Sequence, residues 1–472
     1  MTASMRPNIV VLMADDHRGM EMSHLPQSGA MTPHLDALAA RGVTFREAHC
    51  QGSMMGAVCV PSRASLMTGR NIFASAADPS GVRFRDAQTI PAHLETFPEA
   101  LRRSGYRTHA VGKWHNDLAS FQRSFSGGEC LMFGGMSDHY NVPVHAYDPT
   151  GEYSGLEPEA PGGKRPSKDE IDVAGADEAR FSSNLFGDAA IRFLEANHGA
   201  DPFLLYVAFT APHDPRTPPP GWEVDPEEVE LPPNYLPEHP FDNGELDVRD
   251  ELLAGRPRSE AEVRQHIADY YGMIAHLDHT VGRIIAAIEA NGLADDTVVI
   301  YTGDHGLAVG QHGLMGKQNL YEHSLRIPLV LAGPDVPRGV VSDGLVWHGD
   351  TTATIRALAR IEFDPDADGR SLVGEDGGIC AGRDSFGAAY MYGQRAFRVG
   401  RHKVIAYQAV PDGNPGKATS PGSGHVQLFD LQDDPWEMTS LADDPGFAAI
   451  RAELESGLRE WQAAVGDPLV AG

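Results

Sequence analysis

Short apolar runs alternate with longer amphipathic segments over roughly the first 350 residues of the chain. This alternation is typical of an α/β protein with a largely parallel sheet. The clearest amphipathic helix is predicted over about residues 260–291, because apolar side chains recur there at helical spacing and Gly292 follows as a stop. Five apolar runs predict buried strands: Asn8–Ala14, Arg107–Val111, Phe203–Thr210, Thr297–Thr302 and Ile327–Ala332.

The pattern changes past Asp364, where the alternation fades and the segment DPDADGR predicts a domain link. Because 472 residues exceed the size at which one hydrophobic core stops growing, two domains are expected. We predict a large α/β domain over residues 1–365, its mainly parallel sheet sandwiched by helices, and a smaller α+β domain over residues 366–472. The smaller domain is expected to pair an antiparallel sheet with a final helix at about residues 447–464. Its predicted strands are Ala388–Met391, Ala396–Val399, Lys403–Ala406 and Val426–Phe429.

Two segments rich in proline, glycine and charge, Asp138–Asp177 and Pro212–Pro257, predict long surface loops. Loops of this length in a compact domain often line a binding site, although ordinary insertions look the same in sequence. Both interpretations stay open at this point.

Polar side chains follow four of the five predicted strands, where the strands end. Ligands of doubly wound sheets bind beyond the carboxyl ends of the strands, so these side chains are expected to line one site. They are Asp15 and Asp16 after the first strand, Lys113 and His115 after the second, His213 after the third, and Asp304 and His305 after the fourth.

Three of these side chains are carboxylates, and carboxylates that converge either raise their pKa values or hold a cation. Asp15, Asp16 and Asp304 offer oxygen ligands suited to calcium or magnesium, and His305 adds a nitrogen that also tolerates manganese. The sequence therefore predicts a divalent metal site, with calcium first and manganese or magnesium as alternatives.

The segment CVPSRASLMTGR, residues 59–70, is the most specific motif in the chain. Cys59 is expected just before a helix, at a helix N-terminus that favours anions, with Arg63 one turn further on. Lys317, in the segment GLMGKQNLYEH, would add a cation beside Lys113.

The formal charge of −28, from 66 acidic and 38 basic residues, argues against nucleic acid and anionic membranes as partners. Four scattered cysteines are too few for a disulfide framework, so a reducing compartment is expected. We also find no signal peptide and no apolar stretch of about 18 residues. A cytoplasmic location is the resulting expectation.

Six further segments accompany CVPSRASLMTGR in an order and spacing that one enzyme family shares: PNIVVLMADDHRG, VGKWH, APHDP, YTGDHG, GLMGKQNLYEHSLRIPLV and LFDLQDDPWEMTSLA. On these segments the chain resembles the type I, formylglycine-dependent sulfatases of the alkaline phosphatase superfamily over nearly its whole length. The resemblance implies an alkaline phosphatase-like fold and a sulfuric ester hydrolase. It also implies a partner, the formylglycine-generating enzyme, which converts Cys59 to formylglycine.

Carried over by position, the resemblance implies a role for each candidate residue. Asp15, Asp16, Asp304 and His305 would bind the metal together with an oxygen of the modified Cys59. Arg63 would position the formylglycine hydrate that attacks sulfur, and Lys113 and Lys317 would hold the sulfate oxygens. The two histidines would act as base and acid: His115 would take a proton from the remaining diol hydroxyl, and His213, assisted by Lys317, would protonate the leaving oxygen.

One position departs from the common pattern of the family. Many members carry Asn or Gln in place of His305, and the His form also occurs in phosphonate monoester hydrolases and choline sulfatase-like enzymes. The leading prediction is hydrolysis of an alkyl or carbohydrate sulfate ester. The alternatives are a phosphonate monoester or phosphodiester hydrolase, a choline sulfatase-like enzyme acting on a small ester, and a non-catalytic sulfate-binding relative.

A sulfated small molecule or saccharide is itself an anion, so an acidic protein needs a locally cationic pocket to bind it. His312 is a further candidate for contacting that substrate. The sequence leaves the alcohol half of the substrate and the oligomeric state open, a homo-oligomer included.

Overall fold

The computed structural model describes residues 6–75, 89–153, 178–196, 201–374, 376–391, 393–408 and 424–470. In these residues the chain forms strands β1–β15 and α-helices α1–α10. The strands are β1 Asn8–Ala14, β2 Gly42–Phe45, β3 Ala48–His49, β4 Gly52–Ser53, β5 Arg107–Lys113, β6 Gly127–Met132, β7 Phe203–Ala208, β8 Thr297–Gly303, β9 Leu329–Ala332, β10 Val340–Ser342, β11 Val346–Trp347, β12 Ser385–Tyr390, β13 Gln394–Val399, β14 His402–Tyr407 and β15 Val426–Asp430. The helices are α1 Pro33–Ala40, α2 Cys59–Thr68, α3 Ile72–Ser75, α4 Phe97–Arg103, α5 Leu118–Ser124, α6 Ser182–Ala196, α7 Glu260–Ala290, α8 Glu322–Leu325, α9 His348–Leu358 and α10 Ala448–Val465.

The main sheet has eight described strands in the order β10-β2-β9-β8-β1-β7-β5-β6. The strands from β8 to β6 pair in parallel, so the predicted, mainly parallel sheet is confirmed. β9 is the exception among the five predicted strands, because it runs antiparallel to both β8 and β2.

Alternate side chains of β1 explain why this strand reads as one continuous apolar run. Ile9, Val11 and Met13 belong to a core that also contains residues of α2, α4 and α9. Val10 and Leu12 belong to a second core that contains residues of α1, α6 and α7. Helices therefore cover both faces of the sheet, as a buried parallel sheet requires.

The long helix α7 begins and ends close to the predicted positions. The Ser259 side chain accepts a hydrogen bond from the amide of Glu262 and caps the N-terminus, and the helix ends at Ala290. No helix of the described residues combines the length and the apolar character needed to cross a bilayer.

The second sheet has the order β15-β14-β13-β12-β4, and its last four strands in sequence pair antiparallel. α10 packs against β13 and β14, so the predicted antiparallel sheet with its covering helix is present. β4 joins this sheet from the N-terminal half of the chain, in parallel with β12. The division at residues 365 and 366 stays a prediction.

A buried group of charged side chains connects the second sheet to α8 and to β3, which pairs with β11 in a separate two-stranded sheet. Glu322 of α8 contacts His49 of β3 at 2.9 Å and Lys403 of β14 at 2.8 Å. Lys403 also contacts Glu437 at 2.6 Å, and all four side chains are almost completely shielded from solvent. Burial raises the pKa of Glu437 to about 7, although Lys403 opposes the shift. The ammonium group of Lys403 is thus shared by two buried carboxylates, and Glu322 also lies 3.5 Å from Arg398.

Substitution of Lys403 by methionine should lower the free energy of unfolding by about 3–5 kcal/mol, because two buried carboxylates lose their cation. Urea unfolding followed by circular dichroism measures the change. Arg401→Met is the matched control, since Arg401 pairs with Asp430 and Asp433 at a partly exposed position and its loss should cost much less than the loss of Lys403. Equal losses in the two variants would contradict the structural role of Lys403.

Candidate active site

The carboxyl ends of four neighbouring strands bring the predicted polar residues to one edge of the main sheet. β1 lies between β7 and β8, and β5 lies on the far side of β7. Asp15 and Asp16 follow β1, Lys113 is the last residue of β5, and Asp304 follows β8. All four are buried. The strand order therefore places three carboxylates and a lysine together.

Each of the three carboxylates contacts a buried cation. Lys113 Nζ donates to Asp15 Oδ2, Lys317 Nζ donates to Asp16 Oδ1 at 2.7 Å, and Arg63 Nε donates to Asp304 Oδ2 at 3.0 Å. Arg63 also donates through Nη1 to the main-chain oxygen of Lys113 at 2.9 Å, which ties α2 to the end of β5. The pKa of Asp304 is held below its ordinary range; burial opposes this shift, and His305 and Arg63 outweigh it.

Cys59 lies at the start of this cluster, as the first residue of α2. The sequence predicts Cys59 just before the helix, whereas in the structure Cys59 is the first residue of its first turn. A single buried group contains Asp15, Cys59, Asp304 and His305, each with a ligand atom within 4.8 Å of the others. Burial opposes ionisation of the thiol, but Lys113 and Lys317 overcome it and lower the pKa of Cys59 to about 6. The position therefore favours an anion.

The donors of this group suit a divalent cation. Asp15 Oδ1 and His305 Nε2 are buried and have no hydrogen-bond partner. The carboxylates of Asp15 and Asp304 and the imidazole nitrogen of His305 form a set of donors that suits calcium, magnesium or manganese. Burial raises the pKa of Asp16 to about 7 against the opposing effect of Lys317, and interaction with Asp304 raises the pKa of His305 to about 9 despite burial. Both shifts reflect a desolvated site crowded with carboxylates.

His213 lies on the segment after β7 and faces Asp16, with 3.7 Å between Nε2 and Asp16 Oδ2. Its Nδ1 lies 2.8 Å from the main-chain oxygen of Asp214, which can only accept a hydrogen bond. Nδ1 therefore carries the proton, and Nε2 is the atom turned toward the cluster. Arg249 holds both carboxylate oxygens of Asp214. Burial, with Lys317, holds the pKa of His213 well below its ordinary value.

The segment that carries Lys317 is anchored by the second long loop. The carboxylate of Glu251 accepts hydrogen bonds from the amides of Met315 at 3.0 Å and Gly316 at 2.9 Å. Gln318 donates to Asp250 at 2.8 Å. Of the two interpretations of the Pro212–Pro257 loop, the structure thus favours a part in the site, since the loop supplies both the anchor of Lys317 and the Arg249 that holds Asp214. The other predicted loop lies partly outside the described residues, at positions 154–177.

The two remaining predicted residues are His115 and His312. His115 is buried two residues beyond Lys113 and has a positive φ of 56°. His312 stacks on Tyr321 with 4.1 Å between ring centroids, and its Nε2 lies 3.1 Å from Asn234 Nδ2. The described contacts do not join His312 to the carboxylate cluster.

The family model described as Sulfatase matches residues 7–361, about three quarters of the chain. The chain belongs to the Sulfatase family. A second model, described as N-sulphoglucosamine sulphohydrolase, C-terminal, matches residues 310–464. The chain is therefore a sulfatase, and the expected family and enzyme class are confirmed.

Sulfatases with different substrates are among its relatives. The chain is 28% identical to a choline-sulfatase of Rhizobium meliloti, over 97% of this chain and 86% of that protein. It is 24% identical to an N-acetylglucosamine-6-O-sulfatase of Bacteroides thetaiotaomicron, over 97% and 86% of the two chains.

Solved structures share the fold over almost the whole chain. One, with a TM-score of 0.73 and 21% identity, is a complex with its substrate D-glucosamine-2-N,6-O-disulfate and covers 98% of this chain and 99% of that one. A phosphonate monoester hydrolase of Agrobacterium radiobacter also has a TM-score of 0.73, at 22% identity, and covers 98% and 96% of the chains. At these identities the comparison shows the alkaline phosphatase-like fold alone.

Two residues that position this site in the sulfatase are not among those predicted from the sequence. His348 is the first residue of α9. Its Nδ1 lies 3.0 Å from Ser62 Oγ, and its Nε2 lies 2.8 Å from the main-chain oxygen of Gly303, the residue before Asp304. Tyr270 of α7 donates through its hydroxyl to the main-chain oxygen of Asp16 at 2.7 Å. His348 falls in no motif, and Tyr270 reads as one more member of an apolar helix face, so neither carries a signal in a single sequence.

The raised pKa of Asp16 predicts that the stability of the metal-free protein depends on pH. Its pKa in the folded state, about 7, exceeds the ordinary value of 3.8, so its contribution to stability is present below pH 4 and is lost as pH rises toward 7. In a chelator at pH 8, Asp16→Asn should therefore be more stable than the wild type by about 1–3 kcal/mol, with little difference at pH 4. Urea unfolding at the two pH values measures this.

Calcium, the ion expected from the sequence, should reverse the order at pH 8 by stabilising the wild type more than the variant. Asp433→Asn, at an exposed carboxylate, is the control and should follow the wild type throughout. A wild type more stable than Asp16→Asn at pH 8 without metal would contradict the assignment.

Proposed function

We propose that this sulfatase hydrolyses an alkyl or carbohydrate sulfate monoester with a hydrated formylglycine, derived from Cys59, as the nucleophile. The observation that carries the proposal is the place of Cys59: the first turn of a buried helix, within the electrostatic reach of Lys113 and Lys317 and within 4.8 Å of a set of metal-ligating atoms. A nucleophile that must meet an anionic sulfuryl group needs cations of this kind around it.

Asp15, Asp16, Asp304 and His305 would hold the divalent cation, with an oxygen of the modified Cys59. We expect calcium, with manganese or magnesium as alternatives. When bound, the cation supplies Lewis acid stabilisation of negative charge on oxygen. The hydrated formylglycine supplies a hydroxyl oxygen that displaces the alcohol from sulfur, and its second hydroxyl gives an internal route for releasing sulfate.

The lysines would change partners when metal and substrate bind. Lys113 and Lys317 contact Asp15 and Asp16 in the structure, and these carboxylates are also proposed metal ligands. A bound cation would neutralise the carboxylates, so both ammonium groups could turn their hydrogen bonds to sulfate oxygens. Arg63 stays fixed between Asp304 and the main chain of β5 and would position the nucleophile.

His213 is proposed to protonate the leaving oxygen. With Nδ1 bonded to the main-chain oxygen of Asp214, only Nε2 can exchange a proton with substrate. An anionic sulfate beside Nε2 would favour the protonated ring and oppose the lowering of its pKa by burial and Lys317. Lys317 is near enough to Asp16 and His213 to assist this step. His115 would take the proton of the second hydroxyl during sulfate release.

A carbohydrate ester is supported by two comparisons. One relative over nearly the whole chain is an N-acetylglucosamine-6-O-sulfatase, and one structure of the same fold holds a glucosamine disulfate. The choline-sulfatase supports a small alkyl ester to the same extent.

Phosphonate monoester hydrolysis is the second candidate. His305 is the observation that favours it, since this histidine contacts Asp16 at 3.2 Å inside the proposed metal site, where many sulfatases carry an amide side chain. The phosphonate monoester hydrolase of the same fold adds support at the level of the fold. Matched aryl sulfate, glycan sulfate, choline sulfate and phenylphosphonate esters separate the candidates. A large preference for phosphonates over every sulfate ester would overturn the ranking.

Lys113→Ala and His213→Ala should each lower kcat/KM for the preferred sulfate ester by roughly 100- to 10,000-fold, because one removes charge stabilisation and the other the proton donor. Steady-state kinetics on the metal-loaded, matured protein measures the loss. Circular dichroism and the unfolding midpoint serve as controls for folding. Near-normal turnover in both variants would contradict the proposed site.

Maturation has its own test. After coexpression with a formylglycine-generating enzyme, mass spectrometry should find an aldehyde at position 59, and activity should increase with the modified fraction. Cys59→Ala should abolish turnover while retaining the bound metal. A protein that is fully active with an intact thiol at Cys59 would contradict the formylglycine mechanism.

A further inference from the structure

Arg216 is a buried cation without an ionic partner, three residues beyond His213. It is 4% exposed, and its Nε and Nη2 atoms have no hydrogen-bond partner. In the part of the chain that the structure describes, no carboxylate lies within 4 Å of its guanidinium group. Burial of an unpaired charge is costly, so such a residue persists in a fold where something else offsets the cost.

The guanidinium group lies next to the candidate active site. Its central carbon is 5.9 Å from the centroid of the Tyr270 ring. The hydroxyl of that same ring donates to the main-chain oxygen of Asp16 at 2.7 Å and accepts from the amide of Arg18 at 2.9 Å. One aromatic ring thus separates Arg216 from the backbone of a proposed metal ligand.

Neighbouring carboxylates are already engaged by other side chains. Asp214 is close enough for Arg216 to lower its pKa, but Arg249 holds both of its oxygens, at 2.5 and 2.9 Å. Arg18, which lies over the same Tyr270 ring at 5.0 Å, pairs with Glu21 at 2.7 Å. Of the two arginines on this ring, only Arg216 lacks a carboxylate partner.

The unpaired atoms define what Arg216 can bind. Nε and Nη2 form one edge of the planar guanidinium fork, and that edge matches two oxygens of a carboxylate or sulfate. A protein with a formal charge of −28 needs such local cations to retain a polyanionic substrate.

We propose that Arg216 binds a second anionic group, a carboxylate or an additional sulfate, on the non-reacting part of the substrate. The proposal extends the proposed function, because it names polyanionic esters as the preferred substrates of the same site. Arg216 contributes to substrate affinity and leaves the chemical step to the residues around Cys59.

The test compares esters that differ only in a second anion. One series contains 2-, 3- and 4-carboxyphenyl sulfates, each beside its methyl ester; the other contains D-glucosamine-2-N,6-O-disulfate beside N-acetylglucosamine 6-sulfate. Arg216→Gln should lower kcat/KM for at least one anion-bearing ester by roughly 10- to 100-fold, through KM, and by less than about two-fold for its neutral counterpart. Arg216→Lys, which keeps the charge without the fork, should give an intermediate loss. The two series distinguish carboxylate from sulfate as the recognised group.

Arg192→Gln is the charge-matched control, since Arg192 is exposed on α6 and pairs with Glu129 of β6. It should leave all the substrate pairs unchanged. Equal losses on both members of every pair would overturn the proposal and point to a structural role for Arg216. No loss on any anion-bearing ester would overturn it as well.

Failure of the proposed function gives a different result. A wild type that turns over phenylphosphonates and no sulfate ester contradicts the sulfatase proposal, and the carboxyphenyl pairs made as phenylphosphonate esters then decide the role of Arg216. If the wild type turns over neither series, calorimetric binding of the same pairs to Cys59→Ala, with and without Arg216→Gln, gives the comparison. Equal affinity in the two proteins would overturn the proposal.

Discussion

The constraint on which the rest of the structure depends is the burial of three carboxylates at one edge of the main sheet. Asp15, Asp16 and Asp304 cannot all stay ionised in a desolvated site unless cations reach them. The fold brings those cations from three separate places: Lys113 from the end of β5, Lys317 from the segment after β8, and Arg63 from α2. The same arrangement surrounds Cys59 with positive charge and makes a place where an anion can react.

Elements far from the cluster serve to hold these cations in place. Glu251, on a long loop, binds two amides beside Lys317, and Arg249 on the same loop holds Asp214 beneath His213. Glu322 of α8 and Lys403 of β14 join α8 to the second sheet through a buried ion pair. The long loop therefore holds in place both the segment that carries Lys317 and the Asp214 carboxylate next to His213.

An overall negative charge does not prevent this protein from binding an anionic substrate, because buried lysines and arginines act on the anion at short range within the site. The formal charge of −28 repels anions over long range. Within the site, the buried lysines and arginines act over a few ångströms in a low dielectric, where their effect on a bound anion is strongest. Arg216 differs from the other cations near the site in having no carboxylate partner, and this difference is the basis for assigning it to the substrate.

Much of this protein follows from its sequence alone. The apolar run from Asn8 to Ala14 ends at Asp15 whatever surrounds it, and the motif at Cys59 specifies its family, since both depend only on residue type and spacing. Tertiary structure decided the rest. The direction of β9 depends on its pairing with β8 and β2, and the roles of His348 and Tyr270 depend on which helix packs against which strand. Such relations join residues far apart in the chain, and a single sequence records no pairing between them. Arg216 shows this most clearly, because an arginine in a loop is ordinarily solvated, and only its burial with Nε and Nη2 unpaired points to a ligand.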